Sequence, residues 1–306
     1  MATRTFSRRD ILIGAAALGA MPSVPSVVRS TRAAVPDAAA DDRSLSITNV
    51  ETFLLRHKLP RAIGVSTALS DQRSTVIVKL STDAGLVGWG ETGDIAGARA
   101  VIEEKLRPLL LGRNPLAKRS LWRAAWGANF GDGRAVGAVD VALDDLRGKA
   151  LGLPVADLYG GRLRERVLAY ASGMNYTDGV EAERQFPDEA ARLAAEGFLA
   201  MKMRTGRFDP RRDLSILAKV REAVGPNVRL LTDGNGASTF HEAVKFGKEL
   251  QKLDFYCFEE PLPQGLNYAG YEALAAELEI ALAGGEVFDS RAAARDHIVR
   301  RSFDIL

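Results

Sequence analysis

Over residues 45–55 and again over 74–81, apolar and polar positions alternate with the period of two that marks half-buried strands. Asp83-Ala84-Gly85 supplies a turn between Val76-Ile77-Val78 and Leu86-Val87-Gly88-Trp89-Gly90, so this stretch predicts an antiparallel meander. After Glu91 the apolar spacing becomes helical. Helices are predicted over residues 96–110, 117–126 and 134–151, the last rich in alanine and carrying Asp140, Asp144 and Asp145. Strands followed by helices is the α+β order.

Beyond Arg166 the pattern changes. Short apolar runs at residues 167–171, 200–203, 229–232, 255–258, 280–283 and 303–306 alternate with amphipathic stretches such as 188–196, 211–224, 239–252 and 268–278. Strand and helix alternating at a spacing of about 30 residues predict a parallel sheet with helical crossovers. No G-x-G-x-x-G turn follows the first of these strands, which favours a closed barrel over an open doubly wound sheet. A full (β/α)8 barrel takes ~250 residues, and the stretch beyond Arg166 holds only 140. The expectation is α/β: an α+β domain over residues 45–165, then an incomplete (β/α) TIM-type barrel of about six strands over residues 166–306.

Composition narrows the function. A chain 46% hydrophobic and 26% charged excludes disorder and collagen-like structure. The formal charge is +2, but the first 34 residues hold five arginines against Asp10, leaving a net −2 on the remainder. The basic character belongs to the leader, and nucleic acid is not an expected partner. Residues 1–34 carry Ser7-Arg8-Arg9, an apolar run over 13–21 and a small-residue exit, the pattern of an export signal of the twin-arginine kind. The run is far shorter than the ~20 apolar residues of a membrane span. Residues 35–44 read as a linker, and the expected location is periplasmic or secreted, with no stable membrane span after export. Cys257 is the only cysteine, which excludes an intramolecular disulfide and a cysteine-based metal site.

An oxygen-ligand site remains open, and the predicted strand ends supply it. In a barrel, polar residues at the C-terminal ends of strands point into the site. Those ends carry Lys202 and Arg204, Asp233 and Asn235, Glu259 and Glu260, and Glu286. Asp233, Glu259 and Glu286 are 26 and 27 residues apart, one βα unit each. Singly, each carboxylate is as well explained by a helix cap or a surface ion pair. Three in successive units repel one another unless a cation lies between them, and hard oxygen ligands suit magnesium.

These residues resemble the mandelate racemase and muconate lactonizing branch of the enolase superfamily. A second match is Ala135-Val136-Gly137-Ala138-Val139-Asp140-Val141-Ala142-Leu143-Asp144-Asp145-Leu146-Arg147-Gly148-Lys149, followed by Leu151-Gly152-Leu153-Pro154-Val155 and Leu158-Tyr159-Gly160-Gly161. The resemblance covers about residues 45–306 and implies that the α+β domain caps the barrel mouth. It also implies one Mg2+ held by Asp233, Glu259 and Glu286, with Asn235 and Glu260 orienting the ligands and the nearby lysine. The substrate it implies is a small carboxylate that loses its α proton to a Lys or His base as an enediolate forms. Family enzymes place Lys-x-Lys on the second strand; here the pair is Lys202 and Arg204. Arginine stays protonated, so Arg204 suits a clamp better than a base. Lys202 serves as base only where its surroundings lower its pKa. His57 and Arg61 sit in the first hairpin, where family members place a substrate-covering loop, and Trp89 and Glu91 match a second loop over the site.

Dehydration of a sugar acid is the leading expectation. Its rivals are racemisation or cycloisomerisation of a carboxylic acid, and a catalytically inactive, C-terminally truncated remnant. A full-length form is expected to be a homo-oligomer. Cys257 and His241 read as structural, and His297, on the helix before the sixth run, as solvated or packed rather than catalytic.

Overall fold

A computed structural model describes residues 45–95, 97–128, 132–263 and 268–306. The expected export signal and linker, residues 1–44, lie outside the described residues. The capping half opens with β1 (Ile47–Gly64), β2 (Leu69–Thr82) and β3 (Val87–Gly93), an antiparallel meander. Next come α1 (Ala98–Ala100), a π-helical segment (Val101–Leu106), α2 (Arg107–Leu110), α3 (Lys118–Ala128), α4 (Gly133–Leu151) and α5 (Val155–Leu158). Asp132 caps α4 by accepting the Ala135 N–H, and Gly152 ends it at φ +66°. Val78 and Leu80 of the sheet bury against Ala138, Ala142 and Leu146 of α4 in one core.

Sheet and helix approach closely because β3 carries glycine. A Cβ at Gly90 would stand 2.0 Å from the Ala138 carbonyl oxygen, and one at Gly88 would stand 2.2 Å from that of Ala142. Gly90→Ala is therefore expected to force β3 off α4 at a cost of about 1–3 kcal/mol. A fall in the denaturant midpoint at unchanged slope is the readout, and an unaltered midpoint would refute the packing argument.

The barrel half contains β4 (Ala171–Ser172), β5 (Tyr176–Thr177), α6 (Ala182–Ala195), β6 (Ala200–Arg204), α7 (Pro210–Val224), β7 (Arg229–Asp233), α8 (Phe240–Lys252), β8 (Phe255–Glu259), α9 (Tyr268–Glu277), β9 (Ala281–Ala283) and α10 (Arg291–Arg300). Five strands form a parallel sheet in the order β4-β6-β7-β8-β9. Met201, Met203, Leu230, Phe258 and Leu282 pack against Phe186, Leu217, Leu250 and Leu274 of the surrounding helices. Leu231, Cys257 and Ala283 form a separate small cluster. Cys257 is a core residue, as expected.

Two expected strands are cut short. Of the run 167–171 only Ala171 enters β4, and Val167 and Leu168 remain 80% and 82% exposed. Within the sheet β4 has a single neighbour, β6, so no second ladder holds the preceding residues extended. The sixth run reduces to a single bridge, Ala283 to Ile305, which leaves five strands where about six are expected. Helix α6 begins at Ala182 rather than 188 because it accommodates Pro187, a residue that normally breaks a helix. Strand β5 has no counterpart in the sequence pattern; it pairs with the end of β1 through Ile63↔Thr177 and Gly64↔Tyr176. No helix among the described residues is long and apolar enough to cross a membrane.

Candidate active site

The parallel register places Arg204 beside Asp233, Asp233 beside Glu259, and Glu259 beside Ala283. Three charged residues therefore leave the sheet at one level, with Lys202 two positions before Arg204 on the same strand. Lys202 Nζ lies 3.1 Å from Asp233 Oδ2 and 2.9 Å from Glu259 Oε2. Arg204 Nη1 pairs with the same Asp233 Oδ2, and its Nε donates to Asn175 Oδ1 at 3.1 Å. Arg204 Nη1 also donates to Asn235 Oδ1 at 3.3 Å, and the Asn235 backbone N–H reaches Asp233 Oδ1 at 3.0 Å. Asp233 is wholly buried, and every polar contact around it comes from a donor.

The residues after two of these strands adopt left-handed backbone, Asn235 at φ +46° and Glu260 at φ +38°. Non-glycine residues seldom sit there, and such strain is retained where it aims functional groups. Glu260 shows the use. Its N–H donates to the Ala283 carbonyl at 2.9 Å, and its own carbonyl accepts from Gly236 at 2.7 Å. Its buried carboxyl Oε1 accepts the Gly285 N–H at 3.1 Å, so one residue ties the ends of β7, β8 and β9 together.

Burial pushes the Glu259 carboxyl above its ordinary range, and the charges of Asp233 and Glu286 add to that, against the pull of Lys202. Burial alone would lower the Lys202 amine; the carboxylates of Glu259 and Asp233 outweigh it and hold the ammonium above its usual pKa. The Cys257 thiol is driven up to about 12, first by burial and then by Glu259, which leaves it inert as a nucleophile.

Two of the three expected metal ligands thus meet on one ammonium group. Glu286 lies in the exposed turn after β9, with its charge felt at Glu259. Among the described residues no set of three His, Cys, Asp or Glu side chains stands close enough together to hold a metal ion. The donor chemistry nevertheless fits a hard divalent cation. All the groups are carboxylates, and the mutual repulsion that raises Glu259 is what such a cation relieves.

The capping residues singled out by sequence all lie on strands. His57 and Arg61 are exposed positions within β1, not loop residues. Trp89 and Glu91 belong to β3: the Trp89 ring sits 6.4 Å from Phe53 and 5.9 Å from Lys79 Nζ, and Glu91 Oε1 accepts from Thr75 Oγ1 at 2.7 Å. What the capping half brings to the strand ends is Ser66, in the turn between β1 and β2. Ser66 is buried, its Oγ donates to the Gly234 carbonyl at 2.8 Å, and its own carbonyl accepts from Arg207 at 3.5 Å. Gly64, followed by the short polar pair Ser66-Thr67, was the available turn signal.

A support lies behind Arg204. Tyr176 Oη is 3.3 Å from the Arg204 carbonyl oxygen and 3.2 Å from Asp213 Oδ1, and Asp213 Oδ2 accepts the Gly206 N–H at 2.7 Å. Burial is the main reason that the Asp213 carboxyl rises to about 6 from an ordinary 3.8. A carboxyl whose folded pKa is raised favours the protonated folded state, so stability falls as pH rises from about 4 through 6 and stays low above. The shift corresponds to roughly 3 kcal/mol. Unfolding at pH 5 and pH 7 is expected to show greater stability at pH 5 from this group, and Asp213→Asn should remove that part of the slope. An identical slope in the variant would contradict it.

His297 is packed, as expected. It is 1% exposed, stacked on Phe303 at 4.8 Å, with Nδ1 2.7 Å from Ser302 Oγ. His241 is an exposed residue in the first turn of α8.

Comparison with known proteins agrees with this fold. Residues 48–160 match the mandelate racemase / muconate lactonizing enzyme N-terminal domain, and residues 185–306 match the enolase C-terminal domain-like family. The chain is 35% identical over 254 residues to the D-galactarolactone cycloisomerase of Agrobacterium fabrum, covering 81% of this chain and 66% of that protein. It is 33% identical over 241 residues to the arabinonate dehydratase of Saccharolobus solfataricus, covering 76% and 64%. The chain therefore spans just under two thirds of the length of these relatives. The crystal structure of the 3,6-anhydro-D-galactonate cycloisomerase from Zobellia galactanivorans superposes with a TM-score of 0.75 at 31% identity, over 85% of this chain and 70% of that one. Capping meander, parallel barrel strands and the polar residues at their ends together place the chain in the mandelate racemase and muconate lactonizing enzyme branch of the enolase superfamily.

Proposed function

We propose that the cluster at the ends of β6, β7 and β8 removes the proton α to a carboxylate in a magnesium-dependent reaction, and that the outcome is dehydration of a sugar acid. The observation that carries the reading is the meeting of Lys202, Arg204, Asp233 and Glu259 on adjacent strand ends, with Lys202 bonded to both acids. Arg204 is a permanent cation with a planar fork, suited to an anionic oxygen of the substrate. Lys202 Nζ is the group in this cluster that exchanges a proton at neutral pH once its carboxylate partners turn elsewhere. Asp233, Glu259 and Glu286 would hold the cation, which supplies the positive charge that stabilises the enediolate as it forms. Asn235 and Glu260 fix where these groups point.

Resemblance to an arabinonate dehydratase supports dehydration. Resemblance to two cycloisomerases, at 35% and 31% identity, supports a second reading in which the same abstraction leads to ring closure or opening. Incubation of the chain with magnesium and a panel of sugar acids and their lactones distinguishes the two: dehydration releases a 2-keto-3-deoxy acid, cycloisomerisation an isomer of unchanged mass. No magnesium-dependent turnover of any panel member by folded protein would overturn both readings.

A further inference from the structure

Away from the barrel mouth, a cavity of about 850 Å³ opens between α3, α4 and α5 of the capping half and the first residue of α10 in the barrel half. Its volume is that of a small-molecule site, and such sites favour junctions between domains. The wall is basic. Lys118, Arg119, Arg123, Arg147 and Arg291 line it, against one acid in the wall, Asp140, with Asp144 behind it on Lys118. Lys118 pairs with both acids, 3.1 Å from Asp140 Oδ2, and Arg147 Nη1 lies 2.8 Å from Asp144 Oδ1, while Asp140 Oδ1 is buried with no hydrogen-bond partner among the described residues. Among the described residues no carboxylate forms an ion pair with Arg119, Arg123 or Arg291, which leaves three guanidinium groups uncompensated around one cavity.

Their placement has a cost. Arg119 and Arg123 stand one turn apart on α3, a like-charge spacing that weakens a helix. Arg291 reaches the same helix, its guanidinium 5.4 Å from the Trp122 ring, and Trp122 stacks on Trp126 at 5.5 Å. A bound anion relieves this repulsion, and guanidinium forks match the oxygen geometry of carboxylate and phosphate. We propose that this cavity binds a small, multiply charged oxyanion, gripped by Arg119, Arg123 and Arg291 and distinct from whatever binds at the barrel mouth. A singly charged ligand would leave part of the charge unmet, so two or more anionic groups are required.

The test uses the whole chain, without metal and at low salt, titrated with pyrophosphate and separately with citrate, by calorimetry and tryptophan emission. Saturable binding that perturbs the emission is expected, because Trp122 lines the cavity. Arg119→Gln with Arg123→Gln should weaken it by about tenfold or more, and Arg291→Gln, on a different element, should do the same. Lys202→Met, at the barrel mouth, should leave it intact. The tighter of the two probes tells a phosphate-bearing ligand from a polycarboxylate. No saturable binding by folded parent up to roughly 10 mM, the weak end of charge-driven association, would overturn the proposal. So would binding that survives the arginine substitutions or disappears with Lys202→Met.

Discussion

Asp233→Ala is expected to destabilise the metal-free protein by about 3–5 kcal/mol, among the largest effects of any single substitution in this chain. Among the described residues Asp233 is the one carboxylate that receives both Lys202 and Arg204, and its side chain is 1% exposed. Removing it leaves the Lys202 and Arg204 heads, 9% and 15% exposed, facing each other with only Glu259, Asn175 and Asn235 to satisfy them. Breaking one side of a buried pair costs more than the pair was worth, because the orphaned charges remain out of water. Guanidinium unfolding in a chelating buffer measures the loss. A cost below about 1 kcal/mol, typical of a surface ion pair, would mean that the cluster is solvated rather than buried.

Lys202→Met is expected to reduce the proposed α-proton abstraction by about 10²–10⁴-fold, the usual contribution of a positioned proton-transfer group. Methionine keeps the apolar stem and removes the transferable proton. The informative partner is Lys202→Arg, which keeps a cation against Asp233 and Glu259 and cannot exchange its proton at neutral pH. If Lys202 moves a proton, both variants lose activity alike. If it only supplies charge, arginine restores most of it, and the assignment of Lys202 as the proton-transfer group fails.

Much of this architecture was legible in the sequence, for identifiable reasons. Strands β6, β7 and β8 are short apolar runs that end in a charged residue, so both their position and their working ends could be read directly. The capping meander was legible because Gly85 and the period-two alternation mark its turn. What was hidden depends on partners distant along the chain. Ser66 reaches Gly234 across 168 positions, and Tyr176 reaches Asp213 across 37, so neither local pattern could announce its role. The run 167–171 looked like a strand, but a strand is defined by its neighbours, and β4 has only β6. Resemblance puts His57 and Arg61 in the first hairpin, beside a covering loop of the family, and matches Trp89 and Glu91 to a second. β1 continues to Gly64 and β3 to Gly93, so all four are strand residues.

The arginine in the second position of the strand pair bears on mechanism. In place of a titratable lysine it puts a fixed charge, bonded at once to Asp233, Asn175 and Asn235. Such a group orients and neutralises but takes up no proton, so the proton step proposed above is assigned to Lys202 rather than to Arg204.

The measurement that tests this most directly is proton NMR of sugar acids incubated in D2O with the chain, with and without magnesium, followed at the hydrogen α to the carboxylate. Magnesium-dependent washout of that signal, lost in Lys202→Met and in Asp233→Ala that is shown to be folded, is the predicted result. Retention of the α hydrogen with folded parent protein and saturating magnesium, across the whole panel of sugar acids and lactones, would contradict the proposed proton abstraction.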